Sequence, residues 1–237
     1  MTLQRLVVKP GQIQGETLTL TPEQQHYLQR VLRLRDGAQF IVLDGTGQQW
    51  QAALAAHDKA TLLAPLAARE AQTVEITLAA ALPKQGFDQV VRQVTELGVS
   101  RIVPILSDRT MLRPSSHKVQ RWQRIVTEAA EQCERAQVPT VLEPTPWTTW
   151  LETGKSGLPL IAVARGDPPS LLSVCGSSPQ LEIAIGPEGG WTQTEIAAAM
   201  ATGYQPVSLG CRILRALTAP VAALAVIQAA YGESNRL

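Results

Sequence analysis

The chain has 237 residues, 45% of them hydrophobic and 17% charged, with a formal net charge of +1. That size allows one large domain or two small ones, and the balance of apolar and charged residues excludes a disordered chain. A net charge this small excludes a uniformly basic body, so any nucleic-acid contact has to come from local clusters. No apolar run is long enough to span a membrane and the amino terminus lacks a signal-peptide pattern, which predicts a cytoplasmic protein. Cys133, Cys175 and Cys211 are few and far apart, and His26, His57 and His117 are equally dispersed. Neither a disulfide framework nor a metal site is expected from that spacing.

Residues 1–70 read as a small β-rich domain. Short apolar runs at Arg5–Val8, Thr17–Leu20, Phe40–Leu43, Gln49–Ala55 and Ala60–Leu63 are strand candidates, and Asp44-Gly45 with Gly47 supplies a hairpin turn. One helix interrupts them. Thr21 is a good N-cap, Pro22 suits the first helical position and Gln24 completes a capping box. The helix is expected to run to about Leu34, where Asp36-Gly37 stops it. At α-helical spacing His26, Arg30 and Arg33 share one face, while Tyr27, Val31 and Leu34 pack inward. With Arg35 beside them, the polar face either grips phosphates or is simply solvated.

Ala67–Thr73 is polar and unpatterned, a linker, and from Val74 the rhythm changes. Strands at Val74–Leu82, Arg101–Leu106 and Leu158–Val163 alternate with helices at Gly86–Leu97 and around Trp122–Cys133. Residues 71–237 therefore read as an α/β domain with a parallel sheet covered on both faces. Leu217–Tyr231 is a last helix without a charge, buried either in a core or between subunits.

The densest signals lie between Leu181 and Arg215. Leu181–Ile185 is a buried strand, and Gly186-Pro187-Glu188-Gly189-Gly190 breaks it, because proline lacks an amide donor and glycine allows close backbone approach. Thr192 and Glu195 have capping-box spacing, so a helix starts at once and ends near Gly203. Pro206–Leu209 is the next strand and Gly210 opens a second loop. Two such loops at the carboxyl ends of parallel strands make a ligand crevice. No dinucleotide G-x-G-x-x-G motif and no phosphate-binding G-x-x-x-x-G-K-[ST] motif is present. Backbone donors, apolar neighbours and a single carboxylate suit an uncharged adenosine or a sulfonium better than a polyphosphate. A basic segment, Arg101 to Arg124, holds Arg109, Arg113, Lys118 and Arg121 against one acid, Asp108, and part of it should loop into the same crevice.

These strings resemble the RsmE-type 16S ribosomal RNA uridine N3-methyltransferases of the SPOUT superfamily. The resemblance rests on ordered blocks: His26-Tyr27-Leu28 with Val31-Leu32-Arg33, Leu82-Pro83-Lys84, Thr95–Val99, Ser107-Asp108-Arg109, Glu131-Gln132-Cys133, Ile185–Gly190, and Leu209-Gly210 with Arg212–Arg215. It implies a PUA-like β-barrel RNA-binding domain followed by a SPOUT domain with a deep carboxyl-terminal trefoil knot, and a homodimer whose paired knots form the active sites. It implies S-adenosylmethionine as cofactor, held by Ala81, Leu82, Ile185, Gly186, Pro187, Glu188, Gly189, Leu209, Gly210, Ile213, Leu214 and Thr218. It implies the small ribosomal subunit as partner, with His26, Arg30, Arg33, Arg35, Arg109 and Arg113 against RNA. Two positions depart from the family pattern: Leu217 stands where a glutamate is usual, and Gln93 where many relatives carry lysine.

Uracil N3 is a poor nucleophile until its proton leaves, so an enzyme should supply a base or cations that stabilise the anion. Arg109 and Arg215 are the candidates for anion stabilisation, and Glu188 for base, sulfonium partner or loop brace. Other readings are a SPOUT enzyme acting on another RNA group such as a ribose 2′-hydroxyl, and a non-catalytic RNA-binding assembly factor.

Overall fold

The computed structural model describes residues 3–67, 74–111, 114–154, 157–176 and 178–234. The expected linker, apart from Ala67, lies outside them, as does Arg113. The chain divides into two compact units, 1–71 with 127–138, and 72–126 with 139–237.

In the first unit, β1 (Arg5–Val7), β2 (Ile13–Gln14), β3 (Thr17–Thr19), β4 (Gln39–Leu43), β5 (Gln49–Leu54) and β6 (Lys59–Leu66) form one sheet in the order β1-β4-β5-β6-β3-β2. Only the β1–β4 pair is parallel. The sheet curls as a half-barrel, with no ladder joining β1 to β2 among the described residues. Alternate residues point inward, so Phe40, Val42, Ala52, Leu54, Ala60 and Leu62 share a core with Leu6, Leu18 and Leu28. The helix α1 (Pro22–His26) begins with the expected box: the Thr21 hydroxyl accepts from the Gln24 amide at 3.3 Å, and the Gln24 side chain accepts from the Thr21 amide at 2.9 Å.

Its continuation differs from the sequence expectation. Tyr27–Val31 is a π-helical turn, with the Leu32 amide bonding the Tyr27 carbonyl, and Arg33 is left-handed at φ 56°. The extra residue per turn rotates the side chains. Val31, expected inside, is 58% exposed, while Leu28 is buried. His26, Arg30, Arg33 and Arg35 are all exposed, but only His26 belongs to the regular α-helix; Arg30 lies in the π turn, and Arg33 and Arg35 lie beyond it.

The second unit holds a parallel sheet built from β7 (Glu75–Ala81), β8 (Arg101–Leu106), β9 (Thr140–Val141), β10 (Thr145–Pro146), β11 (Leu158–Ala162), β12 (Gln180–Ile185) and β13 (Gln205–Val207). The order is β10-β8-β7-β12-β11-β13, with β9 beside β8, and every pair is parallel. The central strands β7 and β12 are buried on both faces, which is why they read as unbroken apolar runs. The helices of this unit are α2 (Phe87–Glu96), α3 (Ser116–Gln132, shared with the first unit from Thr127), α4 (Trp147–Thr153), α5 (Leu171–Val174), α6 (Gln193–Ala201) and α7 (Thr218–Ser234).

On one face, Trp147, Trp150, Leu151 and Ala199 of α4 and α6 pack on Ala79, Val103, Ile161 and Ala184. In the midst of that face Glu182 is fully buried, accepting from Trp150 Nε1 at 2.7 Å and from the Tyr204 hydroxyl. Burial, then the neighbouring Glu182 charge, pushes the Tyr204 phenol up. On the other side α7 buries Ala219, Ala223, Leu224, Ile227 and Tyr231 and leaves Ala225 and Ala229 exposed. Within this chain α7 is therefore buried along one stripe rather than all round.

Candidate functional site

Because every ladder is parallel, the loops after β7, β8, β11, β12 and β13 all leave the same edge of the sheet. The loop after β12 turns at Pro187, whose carbonyl accepts from the Gly190 amide at 2.8 Å, and Gly190 sits at φ 68°, where glycine is unstrained. Thr192 then caps α6. Its hydroxyl accepts from the Glu195 amide at 3.2 Å, and Glu195 Oε2 accepts from the Thr192 amide at 2.7 Å.

Side chains tie neighbouring loops to this turn. Glu195, nearly buried, also accepts from the Asp108 amide through Oε1 at 2.9 Å, and the Thr192 hydroxyl lies 3.3 Å from Asp108 Oδ2. Arg109 Nη1 donates to the Gly189 carbonyl. Glu188 Oε1 accepts from the Lys84 amide, after β7, at 2.9 Å. A second pair of loops is joined by backbone bonds: the Leu171 amide donates to the Ser208 carbonyl at 2.8 Å and the Ser208 amide to the Pro169 carbonyl at 2.9 Å. Gly210 follows at φ 120°. The Arg215 carbonyl accepts from Thr218 and Ala219, which starts α7.

Between these loops lies a cavity of about 450 Å³. Its wall includes nine of the twelve residues expected at a cofactor: Ile185, Gly186, Pro187, Glu188, Gly189, Leu209, Gly210, Ile213 and Leu214. Arg109 is there as well. Ala81, the last residue of β7, and Leu82 after it are buried, and exposed Thr218 is the first residue of α7; none of the three lines the cavity. Arg215 is exposed and sits between the lining residues Leu214 and Ala216. The RNA-facing candidates His26, Arg30, Arg33 and Arg35 belong to the first unit.

The wall also holds residues outside the set expected at a cofactor: Ala162 at the end of β11 and Val163, Ala164 and Arg165 after it, then Trp191, Gln193, Ile196, Arg212, Ala216 and Ala219. The signal for the β11 loop was its position after a buried strand. Trp191 is 8% exposed and stacks on Trp147 with ring centroids 4.7 Å apart. Its Nε1 has no hydrogen-bond partner. A Cβ added to Gly186 would come within 3.2 Å of that indole, so the ring closes over the start of the loop. Leu217 packs on Gly86: a Cβ there would stand 2.8 Å from Leu217 Cδ1.

The described residues contain no cluster of three or more side chains suited to a metal ion, and no helix among them is long and apolar enough to cross a membrane.

Comparison with known proteins agrees with this architecture. Residues 69–228 match the RNA methyltransferase domain family, and 20–64 match the RNA methyltransferase PUA domain family. A ribosomal RNA small subunit methyltransferase E from Synechocystis sp. is 50% identical over 233 residues, spanning 95% of this chain and 77% of that protein. The protein of the same name from Bacillus subtilis is 27% identical, spanning 90% of each chain. A crystal structure of ribosomal RNA small subunit methyltransferase E from Neisseria gonorrhoeae, bound to S-adenosyl methionine, superposes with a TM-score of 0.88 at 31% identity, over 97% of this chain and 98% of that one. With a PUA-like half-barrel, an all-parallel sheet and a glycine-loop cavity at that sheet's carboxyl edge, the chain belongs to the ribosomal RNA small subunit methyltransferase E family.

Proposed function

We propose that this chain transfers a methyl group from S-adenosylmethionine to N3 of a uridine in 16S ribosomal RNA of the small subunit. The observation that carries the reading is the glycine-loop cavity, in a chain half identical to a named small-subunit methyltransferase.

The residues present fit the cofactor. A volume of about 450 Å³ falls in the range of small-molecule sites, roughly 300–1,000 Å³. Ile185, Val163, Leu214 and Ala219 offer apolar surface, and the loops at 186–190 and 209–214 offer backbone groups. The unpartnered Trp191 indole N–H is a donor awaiting an acceptor. When bound, S-adenosylmethionine supplies an electrophilic methyl group on its sulfonium. The chain's own part is to bring N3 of an unstacked uracil to that methyl and to stabilise the anion left when the N3 proton departs. Arg109, fixed on the Gly189 carbonyl, is assigned the anion, with Arg215 as the second cation. Glu188, bonded to the Lys84 amide, is assigned the bracing of two loops.

The exposed His26, Arg30, Arg33 and Arg35 support RNA binding by the first unit. The knot and the homodimer belong to the same reading. The small apolar face that α7 leaves exposed, with Ala225 and Ala229, supports the dimer.

The test is transfer of labelled methyl from S-adenosylmethionine to unmodified small-subunit particles, followed by nucleoside analysis. Label in N3-methyluridine is expected. Label in a 2′-O-methylated nucleoside, or cofactor binding with no transfer to any small-subunit RNA, overturns the reading.

A further inference from the structure

Three arginines stand in the cavity wall, Arg109, Arg165 and Arg212, and all are exposed. They come from the loops after β8, β11 and β13, so only the strand order brings them to one opening. Arg109 is engaged with the Gly189 carbonyl. Arg165 and Arg212 make no ion pair among the described residues; Arg212 has only the Cys211 sulfur, at 4.0 Å. The single acid in the wall, Glu188, has one oxygen bonded to the Lys84 amide.

That positive charge exceeds what the one carboxylate of a sulfonium cofactor can neutralise. S-adenosylmethionine carries a sulfonium and an ammonium against one carboxylate, a net positive charge. Like charges a few ångströms apart repel even in water, roughly threefold in affinity per pair at about 6 Å. Unneutralised guanidiniums at this opening suit a polyanion. We propose that Arg165 and Arg212 bind the RNA phosphates flanking the target nucleotide, and that this neutralisation couples RNA binding favourably to cofactor binding. The proposal rests on the methyl-transfer reading for the identity of the cofactor. Its reciprocity is thermodynamic: if RNA tightens cofactor, cofactor tightens RNA by the same factor.

The experiment uses the full chain and the Arg165→Gln/Arg212→Gln double variant. Affinity for unmodified 16S ribosomal RNA is measured over a salt series. The variant should bind at least tenfold more weakly, with the slope of log affinity against log salt reduced by about 1.4, at about 0.7 per phosphate on single strands. Without RNA, affinities for S-adenosylmethionine and for its neutral product S-adenosylhomocysteine are compared. The wild type should favour the neutral thioether, and the variant should narrow that preference several-fold. Arg165→Lys/Arg212→Lys, which keeps the charges, should restore most of the salt slope. Unchanged RNA affinity and slope overturn the proposal, as does equal weakening of both cofactor forms, which would make these arginines cofactor ligands. If the wild type binds neither cofactor form, the methyl-transfer reading fails instead, and the RNA salt series still judges the arginines.

Discussion

Arg109 and Gly189 hold each other at the cavity wall. The guanidinium donates to the glycine carbonyl, and a Cβ added to Gly189 would stand 3.0 Å from Arg109 Cδ. Gly189 is not in the left-handed region, so the demand for glycine here is one of space. An alanine asks the arginine stem to give by a few tenths of an ångström; a valine adds branches that it cannot clear as easily. Gly189→Val should therefore lower kcat/KM for methyl transfer at least tenfold, roughly 1.4 kcal/mol, and Gly189→Ala by less. Melting temperature should barely change, because residue 189 is exposed. A Gly189→Val enzyme with wild-type kcat/KM would show that Arg109 is free to move without consequence.

Glu188 separates a brace from a base. Its Oε1 accepts from the Lys84 amide and so joins the loops after β7 and β12. Glutamine keeps an amide oxygen at that place but cannot take a proton. If bracing is the role, Glu188→Gln retains activity to within about tenfold, while Glu188→Ala, which leaves the Lys84 amide without its acceptor, loses more. A collapse of kcat in Glu188→Gln with cofactor affinity unchanged would instead identify the carboxylate as the base.

The parts of the fold and of the site that were legible in the sequence are local. The capping boxes Thr21–Gln24 and Thr192–Glu195 need only three residues of spacing, and both formed as expected. The glycine loops after β12 and β13 are likewise written in consecutive residues. What stayed hidden depends on strand order. Ala162–Arg165 reach the cavity because β11 lies between β12 and β13, and no short stretch of sequence states that neighbour relation. The π turn at Tyr27–Val31 was hidden for another reason. One extra residue in a turn leaves composition and apolar spacing almost untouched, yet it exposes Val31. Trp147 and Trp150 sit on a seven-residue helix, too short to show a period.

Leu217 has a structural role that can be measured. It covers Gly86, the left-handed N-cap of α2 at φ 84°. Gly86→Ala suffers twice, from a backbone angle unfavourable to alanine and from a Cβ 2.8 Å from Leu217 Cδ1. It should cost about 1–3 kcal/mol of unfolding free energy. Leu217→Ala removes the clash but not the angle, so the double variant should lose less than the sum of the singles. Strict additivity in urea titrations would show that the two side chains do not meet.

Glu131 makes the stability of the first unit depend on pH. Glu131 accepts from the Val7 amide at 2.6 Å, and burial pushes its carboxyl up from 4.5 to about 7, with the nearby Glu128 adding to the rise and the Val7 bond opposing it. The same surroundings raise the Tyr27 phenol, through burial first and then the Glu131 and Glu128 charges. For Glu131 the native state holds its proton more tightly than the unfolded chain does. Its contribution is therefore fully present below pH 4.5 and is lost as pH rises towards 7. The whole span is worth roughly 3 kcal/mol at most. Glu131→Gln mimics the protonated form, keeps an oxygen for the Val7 amide and removes the titration. The difference in stability between variant and wild type should thus grow in the variant's favour between pH 4.5 and 7, and level off above. Urea unfolding across that range, with hydrogen exchange of the Val7 amide reporting the first unit, measures it. A difference that is flat with pH would mean that Glu131 ionises at its ordinary value and that water reaches the carboxyl.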